Sequence, residues 1–230
     1  MTSEPGHDHS QHADVPAGVI MDQAFWDERY RSSSTLWSGH PNPQLITEAA
    51  GLPAGTALDV GCGEGADAIW LAERGWQVTA VDLSVVALER AAAQAVKIGA
   101  AVAQRITWQH ADLGSWVPAA ASYDLVSAQF MHPPKDQREL IYHRLAESVA
   151  PGGTLLIVGH HPSDLQTTIP RPPLPELFFT AADVAAVLSP REWAILVQEA
   201  RARSAQDPDG RTVTIHDTVF RARRIAAGSP

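Results

Sequence analysis

Between residues 56 and 159 the chain alternates two signatures: short apolar runs of strand length, and longer stretches with apolar residues every third or fourth position. Residues 57–60 read as a first strand, 66–74 as a helix stopped by Gly75, and 77–81 as a second strand. Ser84 is placed to cap a helix that runs to about Ile98 and ends at Gly99. Residues 105–109 and 123–129 read as a third and a fourth strand. A helix over 135–149 puts Leu140, Ile141, Leu145 and Val149 on one stripe and stops at Pro151-Gly152-Gly153. Residues 154–159 form an uninterrupted apolar run, the pattern of a central strand covered on both faces. Repeated strand-then-helix units of this kind predict an α/β fold, a parallel sheet with helices on both faces.

The flanks read differently. Residues 22–31 and 43–50 have helical character and are expected to form an N-terminal cap, over residues 18–55, on a core of residues 56–230. Residues 1–17 are polar, contain three histidines and read as a disordered tail. Its imidazoles would bind stray metal weakly, since a tail has no surrounding groups to fix ligand geometry, and no resident metal is expected. Residues 161–175 form a proline-rich loop, long enough to suggest a lid. A short helix over 181–188 follows. Two extended stretches, 192–202 and 211–223, flank Asp207-Pro208-Asp209-Gly210, a hairpin signal that predicts an antiparallel pair at the end of the sheet. No internal repeat is visible.

Composition narrows the function classes. The 230 residues suit one α/β domain with a modest extension. The net charge of −9 argues against a large nucleic-acid surface. The arginines near the C-terminus (Arg201, Arg203, Arg221, Arg223, Arg224) read as the wet face of strands. One cysteine, Cys62, leaves no internal disulfide or cysteine metal cluster. No apolar run reaches the ~20 residues of a membrane helix, and the polar N-terminus lacks a secretory pattern. A cytoplasmic location, no membrane partner, and a monomer or homodimer are the expectations.

The candidate chemistry gathers in Leu58-Asp59-Val60-Gly61-Cys62-Gly63-Glu64-Gly65, between the first strand and the following helix. Glycines there let a ligand approach the backbone closely at the carboxyl edge of the sheet. Asp82 closes the second strand, 21 residues after Gly61, where an acid can accept both ribose hydroxyls of an adenosine. A nicotinamide dehydrogenase competes on spacing. Against it, the glycines run Gly-x-Gly-x-Gly rather than Gly-x-Gly-x-x-Gly, although Ala66 at the third-glycine position satisfies the looser pattern. Asp59 would also sit badly beside a pyrophosphate and suits a ligand with an ammonium group.

In this register the sequence resembles the class I S-adenosylmethionine-dependent methyltransferases. The glycine turn resembles their first motif, Val81-Asp82-Leu83-Ser84 the ribose-binding strand end, and His110-Ala111-Asp112-Leu113 the adenine-side motif. Tyr123-Asp124-Leu125-Val126 and residues 145–158 resemble their fourth and fifth strands. The resemblance implies a doubly wound, Rossmann-like, seven-stranded sheet, mostly parallel with an antiparallel C-terminal hairpin. It implies S-adenosylmethionine as cofactor and S-adenosylhomocysteine as product. By the same resemblance Asp59 would serve the cofactor's amino group through a backbone or water network. Gly61 and Gly63 would face its methionine portion, with Cys62 at the turn. Asp82 would bind the ribose, Leu83 the adenine face, and Asp112 with Leu113 the adenine edge. Gln129 would lie near the sulfonium. Trp26-Asp27-Glu28-Arg29-Tyr30 and Trp37-Ser38-Gly39 resemble the cap of thiopurine and tellurite-type members, which act on small molecules. There, Trp26, Tyr30 and Trp37 would cover a sulfonium, which aromatic faces attract; a plain core role for these rings is the alternative.

For the acceptor, the candidates are His132 in Gln129-Phe130-Met131-His132-Pro133-Pro134, as a base, and His160, next to His161 after the fifth strand. His132 stands before the prolines where amino-group methyltransferases carry Asn or Asp, so exocyclic amines of DNA bases are not the expected substrate. Leu177, Phe178 and Phe179 are candidates to line a nonpolar pocket, or else core anchors of the loop. A small-molecule methyltransferase is the leading reading. A cofactor-binding protein without transferase activity, a sensor or partner subunit, is the alternative.

Overall fold

The computed structural model describes residues 21–131, 133 and 135–226; the histidine-containing tail and His132 lie outside the described residues. Helix α1 (Gln23–Arg31) starts at Asp22, whose Oδ1 accepts the Phe25 amide at 2.9 Å, and α2 (Pro43–Ala49) starts at Asn42, which caps Gln44 in the same way. The βα units follow: β1 (Thr56–Val60), α3 (Ala66–Glu73), β2 (Gln77–Asp82), α4 (Val85–Ile98), α5 (Ala100–Ala103), β3 (Ile106–His110), β4 (Tyr123–Gln129), α6 (Lys135–Ser148) and β5 (Val149–His160). Helix α7 (Ala181–Ala185) leads into the hairpin of β6 (Trp193–Gln206) and β7 (Thr212–Arg224).

These strands form one seven-stranded sheet in the order β3-β2-β1-β4-β5-β7-β6. Strands β1 to β5 pair in parallel, and β7 runs antiparallel to both β5 and β6. The strand order reverses between β1 and β4, which opens a crevice at their carboxyl ends. Two cores flank the sheet. One contains Leu58, Val126, Leu145, Ile157 and Phe179, the other Ala57, Leu71, Trp76, Leu125 and Leu156. Leu125 and Val126, or Leu155 and Leu156, therefore feed opposite faces, as the two-residue period of a strand requires.

Several expectations are revised. Strand β5 begins five residues before the apolar run, because Pro151-Gly152-Gly153, with Gly152 at positive φ, is carried within it beside a register shift against β4. A side chain at Gly153 would meet the Asp124 carbonyl at 3.0 Å. On α6, Leu140 lies off the buried stripe and is half exposed, while Tyr142 takes its place in the core. Of the hairpin arginines Arg223 is exposed as expected, but Arg201, Arg203, Arg221 and Arg224 are tied down rather than solvated. Arg201 reaches Glu48 Oε1 and Gln44 Oε1, each at 2.7 Å, Arg203 reaches Asp217 at 2.9 Å, and Arg221 reaches Glu48 at 3.2 Å. Gln44 also donates to Asp217. This seam fastens α2 to the hairpin. Strand β6 forms one edge of the sheet, with a register irregularity between Ile195 and Val197.

Candidate functional site

The glycine turn follows β1 and occupies the crevice. Gly61, Gly63 and Gly65 all have positive φ (68°, 52° and 82°), a backbone that L side chains adopt only with strain. Space forbids a side chain as well. A Cβ on Gly65 would stand 2.6 Å from the Trp108 ring, and one on Gly63 would stand 3.0 Å from the Tyr30 hydroxyl. Asp82 holds the turn in place: Oδ2 accepts the Gly63 amide and Oδ1 the Ser84 amide, each at 2.8 Å. Each oxygen keeps a further lone pair for a ligand hydroxyl.

The cap closes on this turn through three links. Glu64 Oε2 accepts the amides of Leu36 and Trp37, while its Oε1 pairs with Arg90 at 3.0 Å. Asp27, buried on α1, accepts the Ser84 hydroxyl at 2.5 Å. The Asn42 amide donates to Asp67 at 2.6 Å. The Trp37 indole N–H donates to the Tyr30 hydroxyl at 3.0 Å, and the Trp26 ring lies 6.4 Å from that of Tyr30.

Together these elements enclose a cavity of about 890 Å³ at the carboxyl edge of the sheet. Trp26, Tyr30, Trp37, Gly61, Cys62, Gly63, Asp82, Leu83, Asp112, Leu113 and Gln129 all line it. Asp112 is exposed, and its Oδ1 also accepts the Gly114 amide. Gln129 donates to the Ser127 hydroxyl, and its Oε1 is buried without a hydrogen-bond partner. Burial and the nearby carboxylates of Asp82 and Asp59 push the Cys62 thiol well above its ordinary range, so it stays a neutral thiol.

Two sequence candidates stand back from the cavity. Asp59 is fully buried beneath the turn and accepts the Ala68 amide, holding the first turn of α3, whose cap residue is a glycine without a side chain. Its Oδ2 has no hydrogen-bond partner, and burial together with Asp67 and Asp82 raises its pKa far above the carboxylate range. His160 is buried behind the cavity wall, its ring 4.8 Å from that of Phe130 and 6.0 Å from that of Phe178. Phe130 itself lines the cavity with φ at 51°, a left-handed backbone on a bulky residue. His132 is outside the described residues, between Met131 and Pro133, which both line the cavity.

The site includes residues the motifs do not reveal. Asp67 lines the cavity, and burial raises its pKa to about 6. Leu174, Glu176 and Leu177 also line the cavity, their segment held by the buried Arg138, which donates to the carbonyls of Glu176 and Phe178. Of the apolar trio in this segment, Leu177 lines the cavity, and Phe178 and Phe179 are buried as anchors. The spacing of Asp67 from the glycine turn was the available clue; nothing local marks Glu176 or Leu174.

A glycine turn at a switch point, an acid at the adjacent strand end and an aromatic cover define a nucleotide-cofactor site of the doubly wound α/β class. Residues 57–153 match the family described as methyltransferase domain. The chain is 36% identical over 125 residues to an uncharacterized methyltransferase of Mycobacterium tuberculosis, covering 53% of this chain and 59% of the relative. It is 29% identical over 126 residues to the 2-heptyl-1-hydroxyquinolin-4(1H)-one methyltransferase of Mycobacteroides abscessus, covering 53% and 54%. The chain thus spans little more than half the length of these relatives. A structure from work on the conversion of a disulfide bond into a thioacetal group during echinomycin biosynthesis shares the fold, with TM-score 0.68, 24% identity, and coverage of 91% of this chain and 94% of that one. The match over residues 57–153 and the sheet order are similar to those of S-adenosylmethionine-dependent methyltransferase domains. No helix among the described residues is long and apolar enough to cross a membrane.

Proposed function

We propose that this chain transfers a methyl group from S-adenosylmethionine to a small molecule. The observation that carries the reading is the convergence of the left-handed glycine turn, the Asp82 carboxylate and the cap aromatics on one cavity. The residues fit the cofactor. Asp82 has lone pairs for the ribose hydroxyls, the orphaned Gln129 Oε1 can accept from a cationic group, and Gly63 leaves room beside Tyr30 and Trp37. The acids Asp67 and Asp82, which line the cavity, favour the ammonium and sulfonium end. Asp112 and Leu113 take the adenine edge and Leu83 its face. The aromatic cover follows the manner of the thiopurine and tellurite-type enzymes.

When bound, this cofactor supplies an electrophilic methyl: the C–S bond breaks with its electron pair left on sulfur as the acceptor's lone pair forms the new bond, and a protonated acceptor releases its proton to base or water. The chain's contribution is alignment and exclusion of water. His132 is the base we propose, on its position between two cavity-lining residues; His160 acts by setting Phe130, against which it packs. The space beside Met131, Ile141, Leu174 and Leu177 is where an acceptor fits, and a protein that only bound the cofactor would not need it. Support for a small, apolar acceptor comes from a relative whose substrate is a heptyl-hydroxyquinolinone. The net charge of −9 supports an acceptor other than nucleic acid.

Calorimetric titration with S-adenosylhomocysteine tests the cofactor. Binding at ~1–100 μM is expected for the wild type and none for Asp82→Ala, with circular dichroism showing both folded. A folded wild type that binds no S-adenosylhomocysteine would sink the reading.

A further inference from the structure

The charges around the cavity are one-sided. Its lining includes six carboxylates: Asp22, Glu64, Asp67, Asp82, Asp112 and Glu176. All 17 lysines and arginines of the chain fall among the described residues, and none of them lines the cavity. Only Glu64 has a cationic partner close by, Arg90 on α4. The wall on the acceptor side is apolar, built by Phe130, Met131, Ile141, Leu174 and Leu177, with Trp26 from the cap.

From this we infer that the acceptor is an apolar molecule whose charge is zero or positive, and that molecules bearing a carboxylate or phosphate are rejected at the pocket. The inference rests on the transferase reading and specifies the acceptor class of that site. Its physical basis is desolvation. An anion entering this space leaves its water shell and meets no lysine or arginine in exchange, only side-chain carboxylates. A neutral ring loses little on leaving water and gains contact with Phe130, Met131 and the two leucines. An alkylammonium also gains the field of Glu176 and Asp22. His40 and His110 also line the cavity, so the probes are compared at a pH where a free imidazole carries no charge.

The test uses the full chain saturated with S-adenosylhomocysteine, at about pH 8, and three probes on one ring system. These are 2-naphthol, 6-hydroxy-2-naphthoate and (6-hydroxynaphthalen-2-yl)methylammonium, with binding read by calorimetry. The naphthol and the ammonium are expected to bind at least about tenfold more tightly than the naphthoate. The variant Glu176→Lys changes an exposed side chain, since the packing contact with Arg138 uses the residue-176 carbonyl. It should shrink the naphthol-over-naphthoate preference about fivefold or more. Naphthoate binding as tight as naphthol, binding of none of the three, or a preference that Glu176→Lys leaves unchanged would each overturn the inference while the cofactor reading stands. Failure of S-adenosylhomocysteine itself to bind would overturn both.

Discussion

Replacing Asp67 by asparagine is expected to stabilise the free protein at neutral pH and to weaken its hold on S-adenosylhomocysteine. Asp67 lines the cavity, accepts the Asn42 amide at 2.6 Å and raises the pKa of buried Asp59. Burial raises its own pKa from 3.8 to about 6. Between those two values the folded state holds a proton that the unfolded state has released. Stability therefore falls as pH rises from about 4 to 6 and levels off above that range. At ~1.4 kcal/mol per pH unit, the distance from 3.8 to about 6 sets an upper bound of ~3 kcal/mol on the cost of ionised Asp67. Asparagine keeps an oxygen to accept the Asn42 amide and removes the ionisation. At about pH 7.5 the variant should melt higher by as much as roughly 10 °C, and near pH 4 the two proteins should coincide. Differential scanning calorimetry across that range reads the difference, to which the Asp59 titration also contributes because Asp67 raises it. The same carboxylate favours a cationic ligand, so calorimetry should show S-adenosylhomocysteine binding about tenfold more weakly to the variant. A variant no more stable at neutral pH, or a gain that does not vary with pH, would refute the assignment of a strained, ionised acid.

Two further outcomes follow from the turn and its cap. Gly65→Ala pushes a Cβ to 2.6 Å from Trp108 and 2.8 Å from Ala91 at positive φ, an expected loss of ~2–4 kcal/mol read in urea denaturation; an unchanged midpoint would contradict the packing described. Glu64→Ala strips the Leu36 and Trp37 amides of their acceptor and should weaken S-adenosylhomocysteine binding about tenfold, with Glu64→Gln losing less because its amide oxygen still accepts. Equal losses in the two variants would mean that the Arg90 ion pair, rather than the capping, holds the cap loop.

The βα core was readable because its signals are local. Ser84 caps α4 three residues ahead of the amide it accepts, Gly99 ends the helix, and the hairpin turn lies inside one six-residue stretch. The glycine turn and Asp82 were likewise readable, being fixed by their place at strand ends. What stayed hidden is tertiary. Glu64 meets amides 28 and 27 residues away, and Gln44 meets Arg201 at a separation of 157. No pattern along the chain reports such distances, which is why Arg201 and Arg221 read as solvated when they brace α2. The withdrawn position of His160 has the same cause. Its place after β5 is right for the active edge, but Phe130 comes between it and the cavity.

Strand β6 leaves the far margin of the sheet open, and open margins invite the same strand from another molecule. Here the invitation is withdrawn. Ile195 and Leu196 are half exposed on that margin, beside the irregularity that bends the ladder out of register. Further along, Glu199, Arg201 and Arg203 set charge where an incoming strand would dock. These features work against a second copy of this chain extending the sheet through β6.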